Sequence, residues 1–111
     1  MGNGNLLENA KEFLESGEDN LRKKRFNASV SDFFKAIVIL CDYLLYREIK
    51  ALPKNHAERF SLLKIHFNSL YKEISGLFKV YTLSYNQKLN EKDVLKLREY
   101  AYQLKTRIES K

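Results

Sequence analysis

Ser29-Val30-Ser31-Asp32-Phe33-Phe34-Lys35-Ala36-Ile37-Val38-Ile39-Leu40-Cys41-Asp42-Tyr43-Leu44-Leu45 is the stretch that decides the fold. Its centre, Ala36 to Leu40, is rich in β-branched residues and on its own would pass for a buried strand. The whole stretch is too long for one. Val30, Phe33, Phe34, Ile37, Val38, Cys41, Leu44 and Leu45 recur at steps of three and four, which is the period of a helix. Ile39, Tyr43 and Tyr46 widen that apolar stripe. The spacing therefore predicts a helix buried over most of its circumference.

Working outward, three more segments share the period. Leu6, Leu7, Ala10, Phe13, Leu14 and Leu21 fall on one side of a preceding helix. A long third segment runs Phe60, Leu63, Phe67, Leu70, Ile74, Leu77, Tyr81. A fourth runs Val94, Leu97, Ala101, Leu104, Ile108. Alternating steps of three and four mark the seam of near-antiparallel helix packing. Each segment follows a start signal of capping-box form: Asn5 with Glu8, Ser29 with Asp32, Asn55 with Glu58, Asn90 with Asp93. Breakers are scarce: Gly17, Pro53 and Gly76 are the internal ones, and Gly76 is the expected kink of the third helix. Connections are expected near Phe26–Asn27, Lys50–Lys54 and Asn86–Leu89. Short connections make sequential helices antiparallel neighbours. The prediction is an all-α, up-down antiparallel four-helix bundle, with residues 1–111 as one domain.

Composition narrows the function classes. Hydrophobic residues are 44% of the chain, enough to build a core. Its single cysteine, Cys41, excludes an intrachain disulfide and a thiolate-only zinc site. In the core stripe, Cys41 reads as an inert buried thiol. No glycine-rich phosphate loop is present, and no cofactor is expected. Two histidines ten residues apart, His56 and His66, lack the helical spacing of metal ligands, so no metal site is expected. No apolar run is long enough to span a bilayer, and none of signal-peptide type opens the chain. A cytoplasmic protein with no membrane partner is the expectation.

The net charge of +6 points to anionic partners. Arg22, Lys23, Lys24 and Arg25 cluster at the end of the first helix. Cations there complement the helix dipole and also suit phosphate contact. Lys92, Lys96, Arg98, Lys105 and Arg107 on the fourth helix are interspersed with acids and read as an exposed face. His56 stands at the start of the third helix, where the dipole favours neutral imidazole. Beside Lys50, Lys54 or Arg59, such a histidine suits general-base work on a ribose hydroxyl; the bland alternative is a loop-ending residue. Arg59, His66 and Glu73 lie seven apart and would share one face, suited to an anion or to inter-helix polar contacts. Tyr100 and Tyr102 flank the fourth seam. The surplus tyrosines read as completing a core or a homodimer interface ahead of base stacking.

Arg25-Phe26-Asn27-Ala28 leading into Asp32-Phe33-Phe34-Lys35-Ala36 is similar to the run joining the first two helices of the HEPN superfamily. Asn55-His56-Ala57-Glu58-Arg59-Phe60 resembles the histidine segment of its small archaeal members. The resemblance covers nearly the whole chain through patterning, with the His56 segment as the local match. It implies a four- to five-helix up-down bundle, usually a homodimer. Active members are metal-independent ribonucleases of toxin–antitoxin and defence systems, with an Arg, four to six intervening residues and then a His. Other members are inactive and pair with a small nucleotidyltransferase. In this chain His56 matches the His. Lys50 occupies the Arg window and lacks the planar fork that grips phosphate. Ala51 follows where the family has a polar residue, and Arg47 lies too far back. The resemblance thus implies a non-catalytic, RNA- or nucleotide-associated module, or a partner subunit of a nucleotidyltransferase. The rivals are a ribonuclease using His56 with Lys50 or Arg47, and a helical protein-interaction module that never meets nucleic acid.

Overall fold

The computed structural model describes residues 3–110. Among these it has five helices and no strand: α1 (Asn3–Arg22), α2 (Phe26–Ile49), α3 (His56–His66), α4 (Asn68–Leu83) and α5 (Glu91–Glu109). The strand-like centre of α2 is helical throughout. Val30, Phe33, Phe34, Ile37, Leu40, Cys41 and Leu45 on α2 are sealed from solvent, and every other helix packs against it. Burying each large side chain of this kind contributes about 1.5–3 kcal/mol.

The α1–α2 turn lies at Lys23–Arg25, ahead of the expected Phe26–Asn27. Lys24 takes a left-handed conformation (φ 59°). Its N–H bonds to Leu21 O at 3.0 Å, and that of Arg25 to Asn20 O at 2.8 Å. This is the Schellman closure of a helix, with lysine where glycine is usual. Ser29 and Asp32 are therefore not a cap. They sit inside α2 and face α1. Ser29 Oγ donates to Gly17 O at 2.8 Å, while Ser16 Oγ and Asn20 Nδ2 donate to Asp32 Oδ2 at 2.7 and 2.8 Å. Gly17 is not a breaker either. A Cβ there would lie 2.8 Å from Phe33 Cζ, so the glycine admits the ring between the two helices. Asn5 also lies within its helix. The other two start signals are real caps. Asn90 and Asp93 form a reciprocal capping box, and Asn55 Oδ1 accepts from Glu58 N.

The third segment departs most from expectation. It is two helices parted at Phe67 (φ −143°, ψ 67°), not one helix kinked at Gly76. Gly76 lies within α4, with nothing within 4 Å of where its Cβ would be. The Phe60 and Phe78 rings are 5.2 Å apart. Eighteen residues of continuous helix would separate them by about 27 Å. So α3 folds back on α4, and the Phe60–Tyr71 edge contact closes the hairpin nearer the break.

Side-chain pairs give the directions. Phe34 meets Phe78 and Tyr81 while Asn27 meets Ser84, so α4 runs antiparallel to α2. Phe33 meets Tyr102 while Asn27 meets Leu89, so α5 runs parallel to α2. Here α5 packs chiefly on α2 and not on its neighbour in sequence. Two polar anchors hold it, one before its start and one at its middle. Asn27 donates to Ser84 O and Gln87 O and accepts from Leu89 N, holding the α4–α5 connection. Glu18 on α1 accepts from Arg98 Nε at 2.7 Å and Tyr102 OH at 2.9 Å.

Candidate functional site

The extended segment after α2 carries the chain back along it, so α3 begins beside Phe34. His56 is the first residue of α3, set there by the Asn55 cap. Glu58 Oε1 reaches past Asn55 to accept from Lys54 N at 2.7 Å. The imidazole lies against Phe78, Phe34 and Phe60, with ring centroids 5.4, 6.4 and 6.5 Å away.

One turn on, Arg59 turns toward α2. Its Nε and Nη2 donate to Asp42 Oδ1 and Oδ2 at 2.7 and 2.9 Å. Both side chains are nearly buried, at 12% and 13% exposed. The remaining nitrogen, Nη1, lies 2.9 Å from His56 Nδ1. Guanidinium only donates, so Nδ1 must accept, and the proton of the neutral ring is on Nε2. Partial burial lowers the His56 pKa below its usual value. The Arg59 charge lowers it further, against a smaller opposing pull from Asp42. The site is thus a relay from buried carboxylate to guanidinium to neutral imidazole, presenting an Nε2–H donor. Such a group holds a phosphate or carbonyl oxygen. In this tautomer it has no lone pair at Nε2 with which to take a proton.

The other expected site residues scatter. Arg47 lies over the Tyr43 ring at 5.3 Å and Lys50 over the Tyr46 ring at 5.9 Å. Phe34, which marks the level of His56, is thirteen residues before Arg47, about 20 Å along a helix. Within one chain neither cation joins His56; Arg59 does. Lys54 is exposed beside the cap. His66 ends α3, and the fold-back at Phe67 breaks its expected stripe with Glu73, which accepts from Tyr100 OH at 2.7 Å instead. In the basic cluster Arg22 pairs with Asp19. Lys23, Lys24 and Arg25 are exposed and make no ion pair among the described residues. On α5, Arg98 and Lys105 are matched by Glu18 and Glu109, which interrupts that positive face.

Burial pushes the Cys41 thiol up, as its place in the core stripe implies. Tyr102 rises to about 12 through burial and its bond to Glu18. No group of three or more His, Cys, Asp or Glu gathers in metal-binding fashion among the described residues, and no helix there is long and apolar enough to cross a membrane. Asp42 is the functional residue that sequence reasoning missed. Its signal was a carboxylate between Cys41 and Leu45 on a buried stripe, a position that demands a cationic partner.

Comparison with protein-family models, curated proteins and solved structures yields no match for this chain.

Proposed function

We propose that the chain is a HEPN-like helical module that binds RNA or nucleotide phosphates without cleaving them. It acts as a homodimer or as the partner subunit of a nucleotidyltransferase. The observation that carries the non-catalytic half is the Arg59–His56 contact at 2.9 Å. It occupies the ring nitrogen that would accept a proton and leaves a donor for a phosphate oxygen. The alternating directions of α1, α2, α4 and α5 suit the up-down framework of such modules, with α3 as a folded-back addition. For the binding half, a net charge of +6 and Lys23, Lys24 and Arg25, which make no ion pair among the described residues, supply the long-range attraction.

The test follows a labelled single-stranded RNA by anisotropy at low salt, then by gel with chelator present. Wild type is expected to bind and leave the RNA intact. A Lys23→Gln/Lys24→Gln/Arg25→Gln variant is expected to bind more weakly, its log–log salt slope shallower by roughly 0.7 for each phosphate it no longer neutralises. Metal-free cleavage that vanishes in His56→Ala would replace this reading with a ribonuclease. No binding at low salt by wild type would leave only a protein-interaction module.

A further inference from the structure

At the end of the molecule away from His56, α2, α4 and α5 meet around a cavity of about 290 Å³. Its floor is apolar, formed by Leu44, Leu70, Leu104 and Ile108. Its rim carries Arg47, Arg107 and one acid, Glu48.

The two arginines differ from most others here. Arg22, Arg59 and Arg98 are each matched by a carboxylate, whereas Arg47 and Arg107 form no ion pair among the described residues. Glu48 does not come within ion-pair distance of either, so the rim keeps a surplus positive charge. Stacking over Tyr43 at 5.3 Å limits the freedom of the Arg47 fork, which lowers the ordering cost of gripping an anion. The field of Arg107 reaches inward far enough to oppose the upward pKa shifts of Cys41 and Tyr100. A cavity with an apolar floor and a few convergent polar groups is the usual form of a small-ligand site.

We propose that this cavity binds a small amphiphilic carboxylate. The alkyl tail lies on the Leu44–Leu70–Leu104–Ile108 floor, and the carboxylate is held at the rim by Arg47 and Arg107. Two guanidiniums beside a hydrocarbon surface match a monoanionic head joined to an apolar tail, and match neither a bare anion nor a neutral hydrocarbon. The site is separate from the His56 relay and stands or falls independently of RNA binding.

Octanoate is the probe, titrated into the full chain and read on methyl NMR signals, with 1-octanol and acetate as controls. Octanoate is expected to move the Leu44, Leu70, Leu104 and Ile108 methyls saturably at one per chain, at least tenfold tighter than either control. Arg47→Gln and Arg107→Gln should each weaken octanoate tenfold or more and leave 1-octanol unchanged. Glu48→Gln, which keeps both arginines, should tighten octanoate severalfold and serves if an arginine variant misfolds. Three results would overturn the proposal: no saturable shift at these methyls, octanol binding as tightly as octanoate, or octanoate affinity unmoved by every one of these substitutions.

Discussion

The α1–α2 and α3–α4 pairs are both helical hairpins, and they are held by opposite means. Shape holds the first. A Schellman turn closes it, Gly17 lets Phe33 press between the helices, and Ser29 bonds across the closest approach. Ring edges close the second, and charge anchors it to α2. Its helix α3 has one sealed apolar side chain, Leu63. It also docks through the Arg59–Asp42 fork, through His56 on Phe34 and Phe78, and through the Phe60, Tyr71 and Phe78 contacts. A hairpin locked by packing tolerates no added volume. One anchored by a buried ion pair tolerates no loss of either charge. The candidate site sits on the second, where the fewest contacts oppose local opening.

Arg59→Gln should break this contrast most severely. It strands Asp42 on α2 without a cation, and the expected loss is about 3–5 kcal/mol in urea unfolding. Replacing both partners, Asp42→Leu with Arg59→Leu, should cost much less than the two single changes together, because no buried charge is left alone. Gly17→Ala probes the other hairpin. Its methyl would meet Phe33 Cζ at 2.8 Å, and overpacking of this kind costs about 1–3 kcal/mol. A smaller cavity-forming change, Phe33→Leu, should recover part of that loss in the double variant.

Gly76→Ala sharpens the comparison from the permissive side. The position is helical, exposed and open for 4 Å around the new Cβ. The substitution should stabilise by about 0.5–1 kcal/mol, measured as a higher urea midpoint at unchanged slope. The smallest effect concerns pH. The His56 pKa is lower folded than unfolded. Its contribution is therefore complete above the unfolded value, near 6.5, and is lost as pH falls toward the folded value. Wild type should lose Tm faster than His56→Gln on acidification below pH 6.5, and parallel curves would deny the shift.

What was legible in the sequence follows the same division. The helical period of Ser29 to Leu45 identified the central helix despite its strand-like middle, because seventeen residues exceed a strand and the stripe repeats. Asn55 and Asn90 announced true caps. Ser29 and Asp32 had the same form and were misleading, since side chains that cap a helix also bridge two helices. The fold-back at Phe67 was hidden for a plainer reason. The apolar period runs unbroken from Phe60 to Tyr81, with no glycine or proline at the break. The local hint was Asn68-Ser69, a turn-prone pair directly after it. What bends the chain is tertiary: only a fold-back brings Phe60 onto Phe78 while Arg59 reaches Asp42. For the site, His56 was legible from its place after Asn55. Its partner was legible only in part: Arg59 is one of three cations expected near it, and while the family-type spacing points back to Lys50, one helical turn points forward to Arg59, which makes the contact.

The central claim is that Arg59 holds His56 neutral with its proton on Nε2. Long-range ¹H–¹⁵N correlation of the two imidazoles across pH tests it directly, with His66→Gln to assign the signals. The account predicts the Nε2–H tautomer for His56 and a midpoint below 6.5. An Nδ1–H tautomer, or a midpoint above 6.5, would contradict it and return His56 to the role of general base.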